Sequence, residues 1–562
     1  MSVLDSLRLK PFNLDDAAIA WVEKMRASLS LDDTVRQLFV QISMGDDPAM
    51  IDGIVAERLG GVHRFMGNDV EASWNATRRV LENSVIPPFI TGDLEGGGMA
   101  PSTFTDMQNQ LGLAAANDLD LSRRSLEVMV SESKGFGYNW SFTPVVDINK
   151  SFQSAVVGTR SYGSDVDTIV SQAVAHVEVL QANGFAATAK HWPGEGLDQR
   201  DQHLVTTINP LSVDEWEASF GRIYRAMIDA GVMSVMSAHI AFPAWMERAG
   251  VPESVERYRP ASVSHTLNEG LLRGYLGFNG LIISDATPMA GLGSWADAQS
   301  NAVDIIRNGC DVFLFSDDFQ RDCAAVIAAC QDGRISVERL EAAITRTLGL
   351  KAALGLHTKS IDERMPPLGV ARDNLRKPES LALSKETTSK SICLVKDVRH
   401  TLPLNPTKHK RVVLIDHGTS PMLPFMPVQK LKVLTDALVK RGFEVRAYDP
   451  ENMPTAENTD LLLYTFAVES SLIKSRIFID WKREHGGFHQ AMTRFWHEIP
   501  TVMISFGHPY YLFDAPRVPT YINAWSILGD AQDAVVRKLC GNEPFEGVSP
   551  VDAFCGLPDA KY

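Results

Sequence analysis

The sequence predicts an α/β fold: a (β/α)8 barrel followed by a smaller α/β sandwich domain. Eight short apolar runs alternate with helical segments over the first 320 residues, and many of the runs end on a polar side chain. Near-continuous apolar strands separated by helices belong to parallel sheets covered on both faces. Polar groups at strand C-termini are where such a barrel gathers its chemistry. Length adds a third constraint: 562 residues exceed the roughly 250–300 at which one core stops growing, so more than one domain is expected.

The eight runs are QLFVQIS (37–43), GGVHRF (60–65), PPFITGD (87–93), NWSFTPVVDIN (139–149), GFAATAKH (184–191), GVMSVMSAHI (231–240), FNGLIISD (278–285) and GCDVFLFS (309–316). Helical stretches at 111–133, 166–183 and 213–230 lie between them, and another spans 337–354. On strand pattern alone a doubly wound open sheet competes with the barrel. Residues 357–380 are polar, hold three prolines and show no sustained period, which marks a linker. The domains expected are therefore 1–356, a linker 357–380, and 381–562. In the last of these the strand-like runs SICLVK, RVVLIDHG, FEVRAYD, LLLYTFA, TVMISFG and PTYINAW alternate with helices near 379–390, 428–441 and 484–498 and a final helix.

Composition excludes several classes. A formal net charge of -15, with no block of Lys and Arg, argues against nucleic acid. No apolar stretch reaches the ~18 residues needed to span a bilayer, and the N-terminus lacks a signal-like apolar core, so a cytoplasmic protein is expected. Six cysteines show no C-x-x-C pair and no metal spacing, which suits reduced, buried thiols. No metal and no organic cofactor are expected, since the glycines at 194 and 196 lack the third glycine of a dinucleotide fingerprint. Oligomeric state is not legible.

The densest chemistry is in KHWPGEGLDQRDQH, 190–203. Asp201 and His203 are separated by one residue, so in an extended backbone both side chains share a face and the carboxylate can orient and charge the imidazole. A histidine so held donates protons near neutrality. Asp285 closes the run LIISD, where an aspartate either caps the next helix or stands as a nucleophile fixed on a rigid strand end. His239 is open between substrate contact and structural support, Asp147 reads as structural, and Trp192 as packing.

Taken together these motifs resemble family 3 glycoside hydrolases of the β-N-acetylglucosaminidase branch. KHWPGEG with DQH is similar to the family's K-H-F-P-G-H-G…D-S-H, and GDLEGG, GYNWSFTPVVDI, RSYGSD, SAHIAFP, PASVS and GLIISDATPM follow in the family's order. The resemblance implies a retaining glycosidase in which Asp285 attacks the anomeric carbon and the Asp201–His203 pair serves as acid, then base. It further implies that Lys190 and His191, with Asp93 and Arg160, hold the sugar hydroxyls, while His239 stays among the candidate substrate contacts. Its expected partner is a small N-acetylglucosaminide or glucoside. Glu195 departs from the pattern where a second histidine is usual, and Gly98 where an arginine is common, which leaves the sugar open. A histidine acid/base, unlike an ionised glutamate, also leaves room for inorganic phosphate as acceptor, so phosphorolysis stands beside hydrolysis, and β-glucosidase activity beside both. A catalytically inactive sugar-binding protein is the non-enzymatic alternative, although Asp285, Asp201 and His203 are all present.

Overall fold

The computed structural model describes residues 2–419 and 430–562. In its first part, beside a short parallel pair (Thr207–Ile208 with Ile240–Ala241), eight parallel strands follow in chain order: β1 (Phe39–Met44), β2 (Gly61–Phe65), β3 (Phe89–Gly92), β4 (Trp140–Ser141), β5 (Thr188–Trp192), β6 (Ser234–Ser237), β7 (Leu281–Ser284) and β8 (Phe313–Leu314). β8, β1, β2, β3 and β4 lie side by side in that order, as do β5, β6 and β7. Single parallel bridges, Trp140 to Ala186, Val145 to Lys190 and Ile283 to Val312, span the two gaps between these ladders. The result is a curled parallel sheet. Trp140 Nε1 donates to Thr188 Oγ1 at 2.8 Å and to Ser234 Oγ at 3.0 Å, which turns three successive strands' side chains to one concave side.

Each strand is apolar because both faces are covered. Phe39, Phe89, Trp140, Ala189, Val235 and Ile282 are buried in one hydrophobic cluster with the surrounding helices. In the helix Val166–Ala182, capped by Asp165, Ile169, Ala173, His176, Val177 and Leu180 recur at helical spacing and are buried. The expected helix 111–133 is instead two helices, Gln110–Ala115 and Leu119–Lys134. Asn117 between them has φ 49°, a left-handed conformation that ends the first, and the Asp118 side chain accepts from Leu121 N to start the second.

Beyond it a six-stranded sheet is built from β9 (Cys393–Asp397), β10 (Arg411–Thr419), β11 (Glu444–Ala447), β12 (Leu461–Ala467), β13 (Thr501–Ser505) and β14 (Thr520–Asn523), in the order β9-β14-β13-β12-β10-β11 with only β9 antiparallel. Alternation sorts its side chains between two layers. Val412, Leu414, Leu461, Leu463, Val502 and Ile522 pack in one cluster. Val413, Ile415, Leu462, Tyr464, Met503 and Tyr521 pack in another on the opposite face.

Three expectations change in detail. The stretch 357–380 is not structureless: Ile361–Arg364 and Leu368–Asn374 are helical, and Arg78 to Asp362 (2.7 Å) and Trp74 Nε1 to Pro366 O (3.0 Å) bind the segment to the helix Val70–Asn83. The helix expected at 484–498 is two short ones, Trp481–His485 and Phe488–Ala491, because Gly486 and Gly487 leave helical geometry between them. Of the helix expected at 428–441, residues 428–429 lie outside the described residues, and Lys432–Lys440 is helical. Among the described residues no helix is long and apolar enough to cross a membrane.

Candidate active site

The charged residues picked out in the sequence converge at the C-terminal ends of β3, β5 and β7 and on the loops that follow. Asp93 follows β3, Lys190 and His191 lie on β5, and Asp285 follows β7. Asp285 is 8% exposed. Its Oδ1 accepts from Ala286 N at 2.7 Å, while its Oδ2 is buried with no hydrogen-bond partner. Burial raises the carboxyl's pKa, but the fields of His191, His239 and His203 outweigh it and hold the group below the usual carboxylate range. Asp285 therefore stands as an anion with one unengaged oxygen.

His203 reaches this site on the loop after β5. Its carbonyl accepts from Ala290 N at 3.0 Å, and Thr206 Oγ1 donates to Gly291 O at 2.6 Å, so the loop is stitched to the segment that carries Asp285. Asp201 Oδ1 accepts from both His203 N (2.8 Å) and His203 Nδ1 (2.7 Å). The expected pairing is present but its geometry differs: the backbone is a turn, not an extended strand. A carboxylate bonded to the N–H two residues on is an Asx turn, and it also captures the ring. With Nδ1–H bound to the carboxylate, Nε2 is the ring's other proton-exchanging atom. Asp201 Oδ2 accepts from Ile473 N at 2.9 Å, a donor from the loop after β12. Burial raises the Asp201 pKa, and these hydrogen bonds and the imidazole bring it below its ordinary value.

The groups expected to hold a sugar are bound to one another in an ion network. Lys190 Nζ lies 2.7 Å from Asp93 Oδ1 and 2.9 Å from Glu95 Oε1. Arg160 donates through Nε and Nη2 to the two oxygens of Glu95, each at 2.8 Å. Two cations against two carboxylates balance in a buried setting, where removing one partner typically costs about 3–5 kcal/mol. Burial alone would raise Glu95, yet Arg160 and Lys190 bring it down to about 2. Asp93 keeps a 19% exposed side chain, so it presents an edge to a ligand that Lys190, at 3%, does not. Glu95 was not singled out in the sequence; the signal was its place two residues after Asp93 beyond an apolar run.

His191 and His239 are both held by neighbours. Asp147 Oδ2 accepts from His191 Nδ1 at 2.6 Å, and Asp147 Oδ1 accepts from the backbone N of His191 and of Glu195. Asp147, His191 and Glu195 bring donor atoms within 4.8 Å of one another, as a metal would need, but Asp147 and His191 Nδ1 are already committed to hydrogen bonds. For His239, left open between substrate contact and structural support, the contacts favour support. Nε2 lies 2.9 Å from Ala286 O and Nδ1 2.8 Å from Ser262 Oγ, so both ring nitrogens are engaged and none is left for a substrate. Through Ala286 it braces the residue next to Asp285.

Glu195, at the place of the usual second histidine, is fully enclosed. It accepts from Gln202 Nε2 at 2.8 Å, and burial, then the charges of Asp147, Asp201 and Asp285, push its pKa well above the usual range. Gln202 Oε1 in turn accepts from His239 N at 3.0 Å. Gly196 beside it has φ 104°, and a Cβ there would lie 2.1 Å from Ile148 O, so this turn needs glycine. Trp192 packs edge-on against Trp216 and Tyr224.

Residues 30–350 match the glycosyl hydrolase family 3 N-terminal domain. The chain belongs to glycoside hydrolase family 3. It is 38% identical to a β-N-acetylglucosaminidase/β-glucosidase of Cellulomonas fimi, over 98% of this chain and 99% of that one. Among solved structures it is similar to the β-glucoside phosphorylase BglX, with a TM-score of 0.90 and 32% identity over 99% of both chains. A structure of the same phosphorylase bound to 2FGlc gives a TM-score of 0.91 at 32% identity, over 98% of this chain and all of that one. The family 3 membership drawn from the motifs thus holds across both parts of the chain.

Proposed function

We propose that this family 3 enzyme is a retaining β-N-acetylglucosaminidase-like glycosidase working through a glycosyl-Asp285 intermediate. The observation that carries the reading is the buried, unpartnered Oδ2 of Asp285 in a site shared with a carboxylate-held imidazole. A buried acceptor without a partner costs about 1–3 kcal/mol, and an anomeric carbon bearing developing positive charge is the partner such an oxygen suits. In the first step Oδ2 bonds to the anomeric carbon while the glycosidic bond breaks, and His203 Nε2 gives its proton to the leaving oxygen. In the second, Nε2 takes a proton from water, whose oxygen displaces Asp285 and restores it. Asp201 orients and charges the ring. We assign sugar binding to Asp93 and Arg160 with Lys190 and His191 behind them, and positioning to His239, Asp147 and Glu195.

The eight parallel strands in chain order, with bridges across both gaps, support a (β/α)8 barrel over 1–356. The segment 357–380 then leads to an α/β sandwich domain over 381–562. Six free cysteines support a reducing, cytoplasmic setting.

Phosphorolysis is the second reading, favoured by the full-length likeness to a β-glucoside phosphorylase. A neutral imidazole does not repel an incoming phosphate as an ionised glutamate would, a difference on the order of a kcal/mol or more at ~4 Å in a partly shielded site. The name of the Cellulomonas relative couples N-acetylglucosaminides with glucosides, so both sugars belong in the test. Incubated with 4-nitrophenyl β-N-acetylglucosaminide and the matching glucoside, the enzyme is expected to release nitrophenol, and Asp285→Asn to lose at least about 10³-fold. An Asp285→Asn variant as active as the parent overturns the nucleophile. Free sugar irrespective of phosphate supports the hydrolase; sugar 1-phosphate formed in phosphate buffer supports the phosphorylase.

A further inference from the structure

A cavity of about 440 Å³ opens beside the acid/base pair, and it is walled by three segments of the chain, one of them at Gln153. Gln199, Arg200, Leu204 and Val205 come from the loop that carries Asp201 and His203, and Arg476 comes from the loop after β12. Asp201 itself lines it. We infer that this cavity receives an anionic group on the leaving-group side of the cleaved bond: a carboxylate or phosphate borne by the aglycone, or free phosphate arriving as acceptor. The inference rests on the retaining-glycosidase reading above.

Position comes from Asp201. The group that protonates the leaving oxygen stands on the side where the aglycone departs, and in a retaining reaction the acceptor returns along that path. The cavity is lined by Asp201, which holds His203, and by Leu204, next to His203 in the chain, so it lies against the loop that carries the proton donor.

Charge comes from the lip. The chain as a whole carries -15, yet Arg200 and Arg476 both line this cavity. Arg200 binds Asp198 through Nε and Nη2, the latter at 2.6 Å. Arg476 lies over the Phe478 ring at 4.7 Å, with Asp514 the carboxylate that feels its field. Asp514 already accepts from Ile479 N at 3.0 Å. The acidic wall is answered too: Asp201 receives three N–H groups, from His203 N, His203 Nδ1 and Ile473 N, so its charge is stabilised within the protein. A planar guanidinium grips an oxyanion through paired hydrogen bonds. Leu204 and Val205, each 36% exposed, add an apolar surface for the body of the ligand.

The test uses the full-length enzyme, Arg476→Ala and Arg200→Ala. Two donors of matched size differ in charge: the 4-carbamoylphenyl β-N-acetylglucosaminide, which is neutral, and its 4-carboxyphenyl counterpart. A third arm follows 4-nitrophenyl β-N-acetylglucosaminide against increasing inorganic phosphate. Arg476→Ala is expected to lower kcat/KM for the carboxylated donor five- to tenfold more than for the neutral one, or to weaken the phosphate dependence of the third arm by the same factor. The first result assigns the anion to the aglycone and the second to the acceptor. Equal losses in all arms, or no loss in any, overturn the inference. Calorimetric titration of Asp285→Asn with the carboxylated glycoside, with and without Arg476→Ala, reads the cavity without turnover. Binding weakened by Arg476→Ala there upholds the cavity even if the nucleophile assignment fails, and unchanged binding overturns it for the aglycone.

Discussion

An imidazole two residues from a carboxylate becomes a proton donor only if the carboxylate is fixed, and here Asp201 is fixed by three N–H groups. If His203 is the acid, its worth depends on how much the leaving group needs a proton. His203→Ala is expected to lose about 10²–10³-fold on an alkyl β-N-acetylglucosaminide and at least tenfold less on the 4-nitrophenyl donor. Kinetics across a series of leaving groups check it, and equal losses along the series argue against the acid role. Asp93, His191 and Asp285 were legible as polar groups that close apolar runs, whereas Lys190 and Arg160 came with the family resemblance. His239 has the same signature with a different outcome. Nothing local in SAHIAFP says that Ser262 and the Ala286 carbonyl will take both ring nitrogens.

Strand and helix alternation was legible for the same reason that parallel sheets fold: each strand is buried on both faces and so reads as apolar throughout. Breaks within helices were not, since Asn117 ends one by a left-handed turn that a periodic count passes over. The loop after β12 was invisible for a stronger reason, because its contact with Asp201 links residues 272 apart. There Ile473 sits at φ 62°, a conformation that a β-branched residue adopts at a cost of ~1–3 kcal/mol. Glycine takes that φ freely and keeps the N–H; proline, fixed near -65°, fits neither requirement. Ile473→Gly is expected to keep kcat within about twofold. Ile473→Pro is expected to lose roughly tenfold on alkyl donors and less on 4-nitrophenyl ones, the same bias as His203→Ala, because it unties the carboxylate behind the ring. Steady-state rates on both donors, with thermal melts to confirm folding, decide it; an Ile473→Pro enzyme with a uniform loss places the loop outside proton transfer.

At the scale of the molecule, one buried carboxyl bridges loops from both sheets. Glu469, two residues beyond β12, accepts from Gly98 N at 3.1 Å, Asn109 Nδ2 at 3.3 Å and Ile527 N at 3.0 Å, so one side chain ties the loop bearing Asp93 and Glu95 to the second sheet. The fit depends on glycine: a Cβ on Gly97 would lie 2.5 Å from Glu469 Oε2. Gly98, where an arginine is common in the family, gives Glu469 only its backbone N–H, and among the described residues no cation is paired with the acid. Burial, reinforced by Glu95, overcomes the three donors and pushes the Glu469 pKa up to about 7 from the ordinary 4.5. A carboxyl raised on folding binds its proton more tightly in the native state, so its contribution to stability is complete below about pH 4.5, falls as pH rises, and is gone above about 7. At 1.36 kcal/mol per unit the loss is on the order of 3 kcal/mol. Glu469→Gln keeps a carbonyl for the backbone donors and cannot ionise. Its stability relative to the parent is therefore expected to climb by that amount between pH 5 and 8, read as diverging urea midpoints in parallel unfolding curves. Midpoints that stay a constant distance apart would mean that the acid titrates alike in the folded and unfolded chain, and that the join between the sheets is not held by its proton.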